Sequence, residues 1–126
     1  MTDAVNLQTL NAALGSSGDI FEKSFSLVNS QSPAANITDF VFANGVVRSF
    51  EAFVSVAITA TSNLYETFEV RGIQKDSDWF ISISSEGDNS GVILSITSAG
   101  QMQYITPNYA GFVSGTLKFR AITTSV

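Results

Sequence analysis

Between Trp79 and Thr123 apolar and polar residues alternate with a period of two, and that pattern restricts what this chain can fold into more than any other feature. Trp79, Ile81 and Ile83 alternate with Phe80, Ser82 and Ser84. Val92, Leu94 and Ile96 alternate with Ile93, Ser95 and Thr97, and Leu117, Phe119 and Ala121 with Lys118, Arg120 and Ile122. A two-residue period sends successive side chains to opposite faces of a strand, one face buried and the other outward. The β-branched and aromatic residues that fill these sets suit a pleated, half-buried surface. Gly87, Asp88, Asn89 and Gly91, then Ala99 and Gly100, then Pro107, Asn108 and Gly111 interrupt the pattern. These residues supply the backbone conformations that tight reversals need.

The same reading extends upstream. Phe21, Phe25 and Leu27 fall on one face of a strand that Lys23 interrupts, and a polar loop around Pro33 follows. Asn44-Gly45, the preferred dipeptide of a type I′ hairpin, separates 39–43 from a long second arm. In that arm Phe50, Ala52, Val54, Val56 and Ile58 share a face, as a strand in the middle of a sheet would. Arg48 has the same parity and is expected at the sheet's rim, its stem packed and its head in water, or else paired with an acid. The expected strands are 21–28, 39–43, 46–60, 64–73, 79–85, 92–97, 101–106 and 115–123. Eight antiparallel strands with half-buried faces predict an all-β sandwich, jelly-roll-like, with an immunoglobulin-like sandwich as the alternative strand order.

Ahead of the strands, Leu7, Leu10 and Leu14 stand at helical spacing, and Gly15, Ser16, Ser17 and Gly18 follow as a flexible break. A helix this short is marginal in water unless it docks on something. Residues 1–18 therefore read as an N-terminal arm or short helix, either a frayed end or a segment that packs on a partner, and 19–126 as the sandwich domain.

The chain has no cysteine and no histidine. Disulfide frameworks, thiol nucleophiles, zinc sites with nitrogen or sulfur ligands and imidazole-based triads are all excluded. Charged residues are 13% of the 126, about half the usual share. Such a domain solvates itself with hydroxyls and amides, or covers part of its surface with neighbouring subunits. Its net charge of −5, with six scattered basic residues, argues against binding a nucleic-acid backbone. No run is long enough to span a bilayer, and the N-terminus lacks the basic and apolar regions of a signal peptide. In that setting the Asn36-Ile37-Thr38 triplet is read as a chance match to a glycosylation site.

The candidate sites are sparse. Ser85 to Gly91 gathers oxygen ligands but lacks the spacing of a calcium loop, and Asp, Asn and Gly also build ordinary turns. Asp76 with Asp78, and Glu66 with Glu69, are the available carboxylate pairs, yet nothing in the pattern predicts a cleft to hold them apart. No catalytic residue, cofactor or metal ligand is assigned. Trp79 and Tyr104 sit in strands and read as core, whereas Tyr109, in the loop PNYAGF, reads as a surface contact. With Asp88, Asn89 and Asn108 it forms the set expected to touch a ligand or host.

The run Gly91 to Tyr104, followed by Asn108-Tyr109-Ala110-Gly111-Phe112 and then Gly115 to Ala121, resembles a strand-turn-strand pattern of bacteriophage virion proteins. These include tail-fibre and tail-tip domains, small capsid-attached proteins and the trimeric jelly rolls that finish phage fibres. The resemblance covers about the last third of the chain, with looser matches at Arg48 to Ala52 and Arg71 to Lys75. It implies a virion part with no catalytic residues to carry over, either a small separate protein or a fibre tip. Two functions are expected from it. One is a homotrimer attached to capsid or tail by the arm bearing Leu7, Leu10 and Leu14. The other is a module that binds a host-surface glycan.

Overall fold

The computed structural model describes residues 17–126. The arm residues Leu7, Leu10 and Leu14 lie outside the described residues. The rest is all-β, with eight strands: β1 (Ile20–Ser26), β2 (Ala35–Val41), β3 (Val47–Thr59), β4 (Leu64–Lys75), β5 (Asp78–Gly87), β6 (Ile93–Ile96), β7 (Gln101–Ile105) and β8 (Ser114–Ser125). All pairings are antiparallel. A five-stranded sheet in the order β1-β8-β3-β4-β5 packs on a three-stranded sheet in the order β2-β7-β6. The nesting of β1-β8-β3 over β2-β7 is jelly-roll-like. The meander β3-β4-β5 departs from a jelly roll, because it stays within one sheet.

Period two explains the core. Phe50, Ala52, Val54, Val56 and Ile58 of β3, Phe68 and Val70 of β4 and Leu117, Phe119 and Ala121 of β8 are all buried between the sheets. From the smaller sheet and its flanks come Ile37, Phe40, Phe42, Leu94, Met102 and Tyr104. Two aromatic pairs stack across the gap, Phe40 on Phe119 at 4.3 Å and Phe42 on Phe50 at 3.9 Å. The two pairs, each within 9° of parallel, bury large rings face against face. Gly72 lies in β4 beneath the Phe50 ring, which a Cβ there would strike. A glycine in mid-strand is here the space for an aromatic.

Three expectations are corrected. Asn44-Gly45 does not close a hairpin: β2 and β3 belong to different sheets, and neither residue takes a positive φ. The chain instead turns with the Val46 and Val47 N–H groups both donating to the Ala43 carbonyl. The two-residue reversal of mirror-image type lies at Asp76-Ser77, with φ of 53° and 63°, where Lys75 faces Asp78. Phe21 and Phe25 do not share a face either. A register shift between Ile20 and Lys23 turns Phe21 outward, 75% exposed, while Phe25 packs against the core. The strand expected at 39–43 begins instead at Ala35 and breaks register between Asn36 and Val41, with Asp39 at a φ of 67°. The Gln101 side-chain amide donates to the Ile37 and Phe40 carbonyls across that break.

The strands set two distinct ends. At one lie the tight turns 42–46, 76–77 and 97–100, together with Asp19, where the chain enters β1, and Thr123 near the close of β8. At the other lie the β3–β4 turn 60–63 and three sheet-to-sheet crossovers, 27–34, 88–92 and 106–113; the fourth crossing, 42–46, is at the first end. The 13 residues of β3 separate these ends by about 40 Å.

Candidate functional site

The crossover end gathers the residues that the sequence singles out for contact. Asp88 is held at the end of β5, its carboxylate accepting the Tyr65 N–H at 3.0 Å and its own N–H donating to the Tyr65 carbonyl. Asn89 accepts the Gly91 N–H at 3.1 Å, a local turn that leaves the rest of the side chain in solvent. Asn108 accepts a hydrogen bond from the Asn29 amide at 3.0 Å and is exposed. Tyr109 is a correction. It is only 9% exposed, and its hydroxyl donates to the Ser90 carbonyl at 2.6 Å. Its N–H donates to Asn29 Oδ1, and its ring stacks on Phe112 at 5.9 Å. A polar tip that finds a buried carbonyl lets a tyrosine sink into a loop, so it ties crossovers together rather than offering a flat ring to a ligand.

Beneath these loops Glu66 is buried with Ser90. Its carboxylate accepts both the Ser90 N–H at 2.9 Å and the Ser90 hydroxyl at 2.6 Å. Charge-assisted bonds of this kind are short and strong. Burial, and secondarily the Glu66 charge, push the Tyr109 hydroxyl above its ordinary pKa. A chain of contacts thus runs from Glu66 through Ser90 and Tyr109 to Asn29 and Asn108, with Asp88 and Asn89 on the same crossover as Ser90. This support was illegible in the sequence except as a glutamate on the buried parity of β4.

The carboxylate pairs do not converge. Glu66 faces the core and Glu69, three residues on, faces out from the opposite side of β4. Asp76 and Asp78 cap the far end of the same strand, about 30 Å from Glu66. Among the described residues no group of three acids could hold a metal ion. Trp79 and Tyr104 are core, as read. The Trp79 indole donates to Asn44 Oδ1 at 2.8 Å, and the Tyr104 hydroxyl accepts the Val28 N–H. Arg48 stands at the rim, donating to the Gln74 carbonyl at 3.1 Å.

Sequence reading missed an open groove of about 380 Å³ on the outer face of the five-stranded sheet. Phe21, Phe53 and Ile122 line it, with Glu22, Glu51 and Arg120 at its margin. The Arg120 guanidinium lies 5.5 Å from the centre of the Phe53 ring. The available signal was parity, since Phe53 and Ile122 occupy outward positions of β3 and β8.

No family model matches the chain, and no curated protein matches it. Among solved structures, the tailspike protein of Acinetobacter phage vB_ApiP_P1 is similar over 83% of this chain, with a TM-score of 0.59 at 12% identity. The matched region is 22% of that tailspike chain. At this identity the likeness is one of fold, and the sandwich described here is a β-fold shared with part of a phage tail protein.

Proposed function

We propose that this chain is a structural module of a phage virion: a self-associating β-sandwich without catalytic activity, attached to tail or capsid through residues 1–18. The observation that carries the reading is the fold shared with a tailspike region over 83% of the chain. The polarity of the sandwich supports it, because the chain enters at the tight-turn end while Asp88, Asn89 and Asn108 stand at the other. A module built this way anchors by one end and presents the opposite end. The test is association with particles. Full-length protein is expected to co-sediment with phage tails or capsids, and protein lacking residues 1–18 to stay in the supernatant. Equal co-sedimentation of the two would sink the arm's role.

A second reading, a receptor- or glycan-binding module, is favoured by the exposed amides and carboxylate of the crossover end. Loops on a rigid scaffold are where recognition residues concentrate. Labelled protein is expected to bind host cells, and Asp88→Ala with Asn108→Ala to lose that binding. Retention of binding in the double variant removes these residues from the contact. Release of reducing ends from host polysaccharide by the purified protein would overturn the non-catalytic assignment.

A further inference from the structure

Among the described residues four strands form the edges of the two sheets, and three of them are built in ways that discourage pairing. Strand β1 carries a register shift between Ile20 and Lys23 and places Glu22 and Lys23 within it. Strand β2 breaks register around Asp39. These two edges lie together on one flank, where Lys23 reaches Asp39 at 3.8 Å. Strand β6 has four residues. Bulges, charges and shortness are the usual means by which exposed edges avoid joining another sheet. Strand β5 has none of them. It runs for ten residues in unbroken register with β4, with no proline, and no charge between Asp78 and Glu86. Past Trp79 both of its faces are open: Ile83 on the core side is 42% exposed and Phe80 on the outer side 57%. The smaller sheet stops short of it.

We propose that β5 is a self-association edge, on which a second copy of this chain adds its own β5 antiparallel, joining two five-stranded sheets into one. The inference deepens the self-association proposed above and is independent of the virion assignment. The occupant follows from the strand's own sequence. Residues that face each other across a two-fold axis must share a face, so the register is set by pairs of like parity. With Ser82 on the axis, Ile81 lies opposite Ile83 of the second copy on the core side, twice over. On the outer side Phe80 lies opposite Ser84 of the second copy, next to Ile73, which is Phe80's neighbour on β4. The like-charge opposition, Asp78 against Glu86 of the second copy, falls at the ends of the ribbon, where Lys75 shares the row of Asp78. Pairing covers the open main-chain groups and the exposed isoleucines in one step. The contact is two-fold, in place of the three-fold assembly that the resemblance implies.

Light scattering on the full chain tests it. Wild-type protein is expected at the mass of a dimer, and Ile83→Lys, which places a charge on the inward face of an edge, at half that mass. Because Ile83 is half out of the core, the variant is expected to keep the wild-type circular dichroism spectrum. Hydrogen exchange supplies a second readout, with the alternate main-chain amides of 80–84 that face away from β4 protected in wild type and open in the variant. A wild-type monomer or trimer, or a dimer that survives Ile83→Lys with those amides still protected, overturns the pairing. None of these results bears on whether the protein co-sediments with particles.

Discussion

The two ends of the sandwich are both closed by a buried aromatic with a polar tip, yet they are built for different purposes. At the tight-turn end Trp79 packs against the stacked pair Phe42 and Phe50, and its indole bonds to Asn44, whose amide in turn donates to the Ser98 carbonyl. The Gln74 side chain fills the remaining carbonyls of Asn44 and Val47 at 2.8 and 2.7 Å. Gly100, at a φ of 82°, is needed there because a side chain would run into the Phe42 carbonyl. At the crossover end Tyr109 plays the aromatic part, but the network beneath it rests on a charged group, Glu66, and above it stand exposed Asp88, Asn89 and Asn108. One end joins aromatic packing to hydrogen bonds among neutral groups, whereas the other rests its hydrogen bonds on a buried carboxylate.

Substitutions can break this contrast, and the largest effect is expected at the packed end. Trp79→Ala removes a ring seated among aromatics and is expected to cost about 3–5 kcal/mol in denaturant unfolding. A cost comparable to that of a surface change would mean that the tight-turn end is not closed by packing. Glu66→Ala comes next. It strands the buried Ser90 N–H and hydroxyl, for about 1–3 kcal/mol, and is expected to speed proteolysis within 87–92 while leaving the turns intact. Uniform loosening of both ends would erase the distinction drawn between them.

Tyr109→Phe is smaller, about 1 kcal/mol at neutral pH, and sharpens the comparison by its pH dependence. The folded protein holds the Tyr109 proton above the ordinary tyrosine pKa of 10.0. The folded state therefore binds more protons than the unfolded one in the alkaline window just above that value. Stability from this group is full below it and falls as pH rises through the folded pKa. Wild type is expected to lose stability above about pH 10, through tyrosine ionisation. The phenylalanine variant is expected to lose less, as read from thermal melts across that range. Parallel melts for the two proteins would remove Tyr109 from the alkaline response. Smallest of all, Asn108→Ala is expected within about 0.5 kcal/mol of wild type.

The strands were legible because the buried set of β3, Phe50 to Ile58 at every second residue, is dictated by the pleat itself. What the alternation does not encode is which sheet each strand joins. Asn44-Gly45 carries the stronger hairpin signal, but Asn44 spends its side chain on Trp79 and Ser98, and the chain crosses to the other sheet. Asp76-Ser77 closes the hairpin although neither residue is glycine, because β4 and β5 are held in register along their whole length. Phe21 was misplaced because a single bulge reverses parity. Tyr109 was misplaced because a loop residue's burial depends on carbonyls 19 residues away. The candidate contacts Asp88, Asn89 and Asn108 were readable as turn chemistry, whereas their common end of the molecule became visible only with the strand order.

That strand order also has a mechanical meaning. Ile20 at the start of β1 lies opposite Ala121 of β8, so the first and last strands meet beside the two points where the chain enters and leaves the sandwich. A pull that separates those points peels β1 from β8 one bond at a time and needs little force. A pull between the entry point and the crossover loops runs along the strands and loads many bonds in parallel. The module is weak when its termini are drawn apart and strong when tension passes from one end of the sandwich to the other.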